Sequence, residues 1–417
     1  MFGRGDFLKI LNFGSCNIDY VYSLDHITLL GETENTYGLS TFAGGKGLNQ
    51  SVAVSRAGGY IFHAGCIGEN GEFLHELLKE NGVDTTYIKS VSERNGHAII
   101  QLDKNGGNAI FLFAGSNAMI SREHIEQTLE NFSDGDILML QNEINNLNYL
   151  IEKAYERNMT IVLNPSPFNE KIAEVDLNKI SYLVLNEIEA YAFSSCREVD
   201  DILCYFKTRY PKLKVMLTLG EKGCIYQDEN ERFFHPTFKV DAVDTTAAGD
   251  TFTGYFVVGI ANGRNMDEAL KYASCASAIS VTRKGAAPSI PCMNEVKEQL
   301  LILKTDKIDI KTQNILSKIE KYINENLAIA SIEGLSGYLG YSNVYTATLV
   351  KKVMGETYTD YLHKKRLKKA AELLLETELS VGEVVKAVGY ENENYFRKLF
   401  KERYGKKPLQ YRKMEGK

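Results

Sequence analysis

Residues Asp244–Phe256 read DTTAAGDTFTGYF. Ala247, Ala248 and Gly249, which have little or no side chain, stand directly before an acid and a stretch of helical character. Small residues leave the backbone N–H groups open to close approach, and the positive end of the helix dipole adds to them, so the segment has the makings of an anion site. A phosphoryl group gaining negative charge fits there. Asp250 stands at the edge of that site, where an attacking hydroxyl must lose a proton, and so can act as a general base. The plainer reading is an acid at a helix start, which the dipole favours by itself.

A second stretch lies about 200 residues upstream: FAGGKGLNQSVAVSRAGG, Phe42–Gly59. Gly44, Gly45, Lys46 and Gly47 lead into a helical pattern. The spacing is not that of a Walker A loop, because a glycine follows the lysine where Ser or Thr belongs. The glycines read instead as room for backbone to pass close to a small polar ligand. Asn49 follows within one turn and can both donate and accept.

Around these stretches, short apolar runs alternate with helical patterns. The runs are FLKILNFG, YIFHAGCIG, DILMLQ, TIVLNP, YLVLN and KVMLTLG, with helical stretches such as Glu72–Asn81, Leu147–Arg157 and Met266–Thr282 between them. That order predicts an α/β fold: three layers, a mostly parallel sheet with helices on both faces. NGHAIIQLDKNGGNAIFLFAGSN predicts a hairpin about an Asn-Gly-Gly turn. With DYVYSLDHI and TYGLSTFA it makes a small β-sheet that could serve as a lid. We expect this module over 1–302, a linker at 303–313, and an all-helical module over 314–417.

Charge separates the modules. Residues 311–417 hold 20 Lys+Arg against 13 Asp+Glu, net +7; residues 1–310 hold 28 against 41, net −13. An acidic body with a basic tail suggests two kinds of partner. No run of about 18 apolar residues predicts a membrane span, and the N-terminus carries no secretory signal. The seven cysteines are scattered without a C-x-x-C pair, which points to free thiols in a reducing cytoplasm rather than a disulfide frame or zinc site.

In order along the chain, residues 8–300 resemble the ribokinase-like (PfkB) carbohydrate kinases, and among those the ribokinases. GSCNIDYVYSLD is similar to the family's first sugar-contact segment, implying Asn17 and Asp19 on sugar hydroxyls. GGKGLN matches the second, implying Gly45, Lys46 and Asn49, and Glu143 in LMLQNEIN falls where the family has another sugar-side acid. LNEIEA matches its N-x-x-E motif, implying Asn186 near the triphosphate and Glu189 ordering water on Mg2+. LTLGEKG resembles the nucleotide segment, with Thr218, Gly220 and Gly223. DTTAAGD carries over Ala247–Gly249 as anion hole and Asp250 as base. SVTRKGAAPSIP resembles the loop that, with Asp244 and Thr246, wraps a monovalent cation, K+, through the carbonyls of Ser280, Arg283 and Gly285 and the hydroxyl of Ser289. The resemblance implies ATP-dependent phosphorylation of a pentose primary hydroxyl, ribose first; fructose, deoxyribose or a nucleoside remain open. Asn95, in RNGHAII, replaces a threonine common in the family and is expected to alter the fit to the sugar. A homodimer is expected.

The tail contains two helix–Gly-turn–helix patterns, at 331–353 and 380–405, joined by a helix over Glu356–Glu376. AAELLLETELSVGEVVKAVGYENENYFRKLFKERYGKKPLQYRK makes the tail resemble an AraC-type DNA-binding domain. On that resemblance Asn343, Tyr345, Thr346 and Thr348 lie on the first recognition helix. Asn392, Asn394, Tyr395, Arg397 and Lys398 lie on or near the second. Asn and Arg suit base edges, while Lys398, Lys401 and Arg412 suit phosphates. Gly334 and Gly337, inside the leading helix, each cost up to about 1 kcal/mol relative to Ala. The chain thus reads as an active sugar kinase with a regulatory DNA-binding tail, or as a transcription factor that uses a kinase fold to sense sugar or nucleotide.

Overall fold

The computed structural model describes residues 8–354 and 356–415, divided at residue 300 into two compact units. The first unit contains the strands β1 (Ile10–Phe13), β2 (Asn17–Leu24), β3 (Gly38–Gly44), β4 (Ile61–Glu69), β5 (Asp84–Arg94), β6 (His97–Asp103), β7 (Asn108–Phe113), β8 (Ile137–Gln141), β9 (Thr160–Asn164), β10 (Tyr182–Asn186), β11 (Lys214–Thr218), β12 (Cys224–Gln227) and β13 (Arg232–His235). Nine form one sheet in the order β13-β12-β11-β10-β9-β8-β1-β4-β5, and four form a second in the order β3-β2-β6-β7. In the large sheet the pairs from β5 through β11 are parallel, while β12 and β13 pair antiparallel at the edge. All six apolar runs are strands of the large sheet. The polar β5 and the short antiparallel pair β12–β13 were not legible as strands, because neither shows an apolar run.

The apolar runs are buried on both faces because helices cover both faces. Successive side chains alternate: Ile10, Met139, Val162 and Val184 join one core with Val52 and Phe256, while Leu11, Leu138, Ile161 and Leu183 join the other. Strand order reverses at β1, with β4 on one side and β8 on the other. Ligands in such sheets bind beyond the carboxyl ends of strands at the reversal.

Two helices bring their N-termini there. The Lys46–Arg56 helix follows β3 directly, and the Ala248–Ala261 helix packs beside it. Their approach is set by Gly254, where a Cβ would stand 2.4 Å from Ala53 Cβ and 2.9 Å from Val54 N. The hairpin forms as expected, with Asp103 Oδ1 accepting from Asn105 N at 2.7 Å and Gly107 N at 2.8 Å across its turn.

The second unit is helical. Residues 303–313 do not break the chain: they lie inside one helix, Met293–Asn326. No glycine or proline interrupts that span, and charge alone does not end a helix. Helices Ile332–Leu339, Asn343–Met354, Tyr358–Glu376, Val381–Ala387, Glu393–Tyr404 and Pro408–Glu415 follow. They enclose two cores, one about Ile319, Leu335, Val350 and Leu362, the other about Leu367, Val384, Phe396 and Phe400. The Tyr358 helix contributes to both. Gly334 has a packing reason, since a Cβ there would stand 2.0 Å from the Tyr322 hydroxyl; Gly337 has nothing within 4 Å.

The two glycine sites predict opposite outcomes. Gly337→Ala should stabilise the C-terminal unit by up to about 1 kcal/mol. Gly254→Ala should destabilise the first unit by about 1–3 kcal/mol through overpacking. Calorimetric unfolding of the full chain, following each unit's transition, checks both.

Candidate functional site

Asp250 lies in the first turn of the Ala248 helix and is 7% exposed. Ala247 caps that helix in a left-handed conformation, φ +59°. The first N–H groups of any helix lack partners within it, and a Cβ on Gly249 would meet no atom within 4 Å. The corner is therefore open to a ligand at its backbone. Two neighbours on the Lys46 helix hold the acid: Asn49 Nδ2 donates to Asp250 Oδ2 at 3.1 Å, and Gln50 Nε2 donates to Oδ1 at 3.0 Å. Asn49 Oδ1 is buried without a partner, which leaves an acceptor for a ligand hydroxyl.

Acids cluster around Lys46. Glu143, just past β8, accepts from Lys46 N at 3.0 Å and from the Ser15 hydroxyl. It thereby sits on the N-terminus of the Lys46 helix, where the dipole favours it. Burial raises Glu143, with Lys46 opposing. Burial draws the Lys46 ammonium down, but Asp250, Glu143 and Glu189 outweigh that and hold it above its ordinary value. Asp19 is pushed up to about 7 by burial, with Glu143 and Asp250 adding to the rise.

Asn17 is buried, and its Oδ1 accepts from Asn117 Nδ2 at 2.7 Å. A cavity of about 380 Å³ opens here, lined by Asn17, Asn117 and Glu143 with Leu112 and Phe113 of β7. The lid strand thus borders the same space as two of the sugar-side candidates.

The glycines on either side of Lys46 also have a packing reason. A Cβ on Gly45, φ +93°, would stand 2.9 Å from Asn17 N, and one on Gly47 would stand 2.3 Å from Ser15 N. Their close approach is to the chain's own β1–β2 turn. Asn95 departs from expectation. It is 1% exposed. Its Nδ2 donates to the Cys16 and Gly96 carbonyls at 2.9 and 2.8 Å, and its Oδ1 accepts from Gly68 N at 3.0 Å. All its polar atoms brace backbone.

The nucleotide candidates gather at the neighbouring strand ends, where parallel pairing sets Asn186 of β10 opposite Thr218 of β11. Asn186 and Glu189 form a capping box: Asn186 Oδ1 accepts from Glu189 N at 2.9 Å, and Glu189 Oε2 accepts from Asn186 N at 3.0 Å. Glu189 is nevertheless 5% exposed rather than a solvated first-turn acid. Gly220 and Gly223 have φ of +55° and +115°, and a Cβ on Gly223 would meet His235 O at 2.2 Å.

Of the cation-loop candidates, Asp244, Thr246 and Gly285 come together. Asp244 Oδ1 accepts from Thr246 N and Oγ1 at 2.9 and 2.6 Å, and Oδ2 accepts from Gly285 N at 2.9 Å. Ser280 and Ser289 are buried, and their hydroxyls donate to Ser277 O and Ala286 O, each at 2.8 Å. The Arg283 guanidinium is drawn off to Glu295, at 2.5 Å.

In the second unit Asn343, Tyr345 and Thr348 are exposed on the Asn343 helix. Thr346 is not: it is fully buried, facing the domain, and leaves the DNA-facing set. On the Glu393 helix Asn394, Tyr395 and Lys398 are exposed. Asn392 caps the helix, accepting from Tyr395 N at 3.0 Å, and Arg397 pairs with Glu393 one turn back. Arg412 is a strut rather than a phosphate ligand, donating to the Leu374 and Leu379 carbonyls at 2.9 and 2.5 Å.

Residues 8–293 match the pfkB family carbohydrate kinases. The chain belongs to that family. Ribokinase of Haemophilus influenzae is 34% identical over 296 residues, covering 69% of this chain and 96% of the relative; that of Bacillus subtilis is 33% identical, covering 70% and 99%. Among solved structures, Thermotoga maritima ribokinase is 38% identical with a TM-score of 0.61, covering 70% of this chain and 99% of that one. Arabidopsis thaliana ribokinase, solved with ribose and ATP, is 27% identical with a TM-score of 0.62, covering 70% and 98%. Behind the pfkB module, residues 335–414 match a helix-turn-helix domain, of the AraC type.

The pfkB site carries a cost in stability at Asp19. The unfolded aspartate ionises near pH 4, while the folded one holds its proton to about pH 7. The native state therefore binds more protons in that window, and its stability falls as pH rises through it. Asp19→Asn removes the penalty. Its thermal midpoint should match wild type near pH 4 and exceed it at pH 8.

Proposed function

We propose that residues 8–293 transfer the γ-phosphoryl group of ATP to the primary hydroxyl of a pentose, D-ribose giving ribose 5-phosphate, and that the tail binds duplex DNA and regulates sugar genes. The observation that carries the kinase reading is Asp250. It is a buried carboxylate at an open helix N-terminus, bracketed by two amide donors. The curated relatives named above are ribokinases, and the solved Arabidopsis relative holds ribose and ATP.

The hydroxyl gives its proton to Asp250 as its oxygen bonds to the γ-phosphorus. The bond from that phosphorus to the bridging oxygen breaks, ADP leaves, and the proton passes to solvent. Amides of Ala247–Gly249 hold the charge on the moving phosphoryl group. Asn17, Asp19, Gly45, Lys46, Asn49 and Glu143 hold the sugar. Asn186, Thr218, Gly220 and Gly223 flank the nucleotide.

Glu189 fits an Mg2+ role through water: one oxygen is committed to Asn186 N, leaving the other for a metal-bound water. Mg2+ when bound neutralises phosphate charge. Asp244 fits a K+ loop as a carboxylate tied to Thr246 and Gly285, and Ser280, Arg283 and Ser289 would complete the loop. Seven unpaired cysteines suit the cytoplasm. The exposed lid residues Ile110, Phe111 and Leu112 suit pairing of two copies.

Turnover is tested with ribose, deoxyribose, fructose and nucleosides, each with ATP, Mg2+ and K+. Phosphorylation of ribose supports the reading. No turnover on any of them, with sugar-dependent DNA binding, would make the protein a sensor instead. Asp250→Asn should abolish transfer while leaving fold and sugar binding intact, measured by steady-state rate, circular dichroism and calorimetric sugar binding. For the tail, affinity for duplex DNA should fall steeply with salt, and Lys398→Ala should lower that log–log slope by about 1.

A further inference from the structure

We propose that Gln50 and Gln141 are positioning residues that hold Asp250 as the base, through a chain of amides whose orientation is dictated by backbone carbonyls. The proposal rests on the kinase reading above.

Asn12 is a fully buried polar residue in the middle of β1. Its Nδ2 donates to Gly47 O at 2.7 Å and to Ser51 Oγ at 2.8 Å. A backbone carbonyl only accepts, so the amide must turn its NH2 there and its Oδ1 the other way. That Oδ1 accepts from Gln141 Nε2 at 3.0 Å. The same NH2 donates to Gln50 Oε1 at 2.7 Å. Gln50 then has only its Nε2 to present to Asp250.

A second anchor gives the same answer from the other side. Asn164 Nδ2 donates to Val184 O at 2.9 Å, so Asn164 Oδ1 is an acceptor. It faces Gln50 Nε2 at 3.4 Å. Two carbonyls, Gly47 O on the Lys46 helix and Val184 O on β10, therefore force a donor, never an acceptor, toward Asp250 Oδ1. With Asn49 on Oδ2, the carboxylate is held at both oxygens and its remaining lone pairs keep one direction. Neither glutamine needs to touch substrate for this.

Gln50→Met and Gln141→Met keep length and remove the amide. In both, kcat with ribose and ATP should fall about 10- to 100-fold, while both KM values stay within about twofold. A merely structural role would lower the melting temperature and leave kcat intact. Gln141→Met leaves residue 50 in place, so it carries the test if Gln50→Met does not fold. Wild-type turnover with undiminished kcat in the folded variants overturns this proposal alone, as does a fall in kcat matched by a rise in sugar KM. A wild-type protein that phosphorylates no sugar overturns the kinase reading and this proposal with it.

A separate observation concerns the tail. On the Asn343 helix, Val344, Ala347 and Thr348 are all exposed, Val344 at 80%. Their i, i+3, i+4 spacing puts them on one face. The Thr348 hydroxyl is spent on Val344 O at 3.0 Å, so the first two turns of this face offer methyl groups, with the exposed Lys351 following on the next turn. The Glu393 helix offers Asn394 and Lys398 instead. We infer that the Asn343 helix reads thymine methyls in the major groove, in a basic module whose charge complements DNA.

The full chain is used to select its operator from random duplexes, and each thymine is then replaced by deoxyuridine. Some replacements in one half-site should each weaken binding about fourfold, and Val344→Ala should abolish that sensitivity. No effect of deoxyuridine, sensitivity unchanged in Val344→Ala, or capture of a protein rather than DNA by this face would overturn the inference.

Discussion

Everything in the kinase module depends on two helix N-termini meeting at one carboxylate. The Lys46 and Ala248 helices approach because Gly254 lets Ala53 in. That contact sets Asn49 and Gln50 within hydrogen-bond reach of Asp250, although about 200 residues separate them in sequence. Each helix has an acid at its first turn: Glu143, accepting from Lys46 N, for one, and Asp250 for the other. The site gathers negative charge around one lysine. That is unfavourable in the resting protein: burial first, and then the Glu143 and Asp250 charges, raise Asp19, and it is the kind of cost that functional sites carry.

The sequence made part of this legible. Asp250 and the three small residues before it announce a helix start and an anion corner together, because one local stretch carries both signals. The parallel strands other than the polar edge strand β5 were legible because both faces are covered, which writes each as a mainly apolar run. What stayed hidden depends on contacts distant in sequence. Gln50 reads as a polar helix residue until the Ala248 helix arrives. Asn12 and Gln141 did leave a trace, as lone amides in the apolar runs ILNF and ILMLQ, where a polar group must find a buried partner.

Residue chemistry also misled in particular ways. Asn95 and Arg412 carry groups that suit a ligand, yet both brace backbone carbonyls. Thr346 lies one residue from exposed Tyr345, but helical spacing turns it inward. The charged segment 303–313 suggested a linker, yet without glycine or proline it continues a helix. For Asn95, Arg412 and Thr346 exposure and partners, which a single sequence does not report, decided the role.

The most direct test is a crystal structure with ribose, ADP and a planar phosphoryl mimic such as aluminium fluoride. The account predicts the mimic against the N–H groups of residues 247–249, and the sugar's primary hydroxyl about 2.6–3.2 Å from an Asp250 oxygen. A mimic bound elsewhere, or a sugar hydroxyl facing another acid, would contradict it.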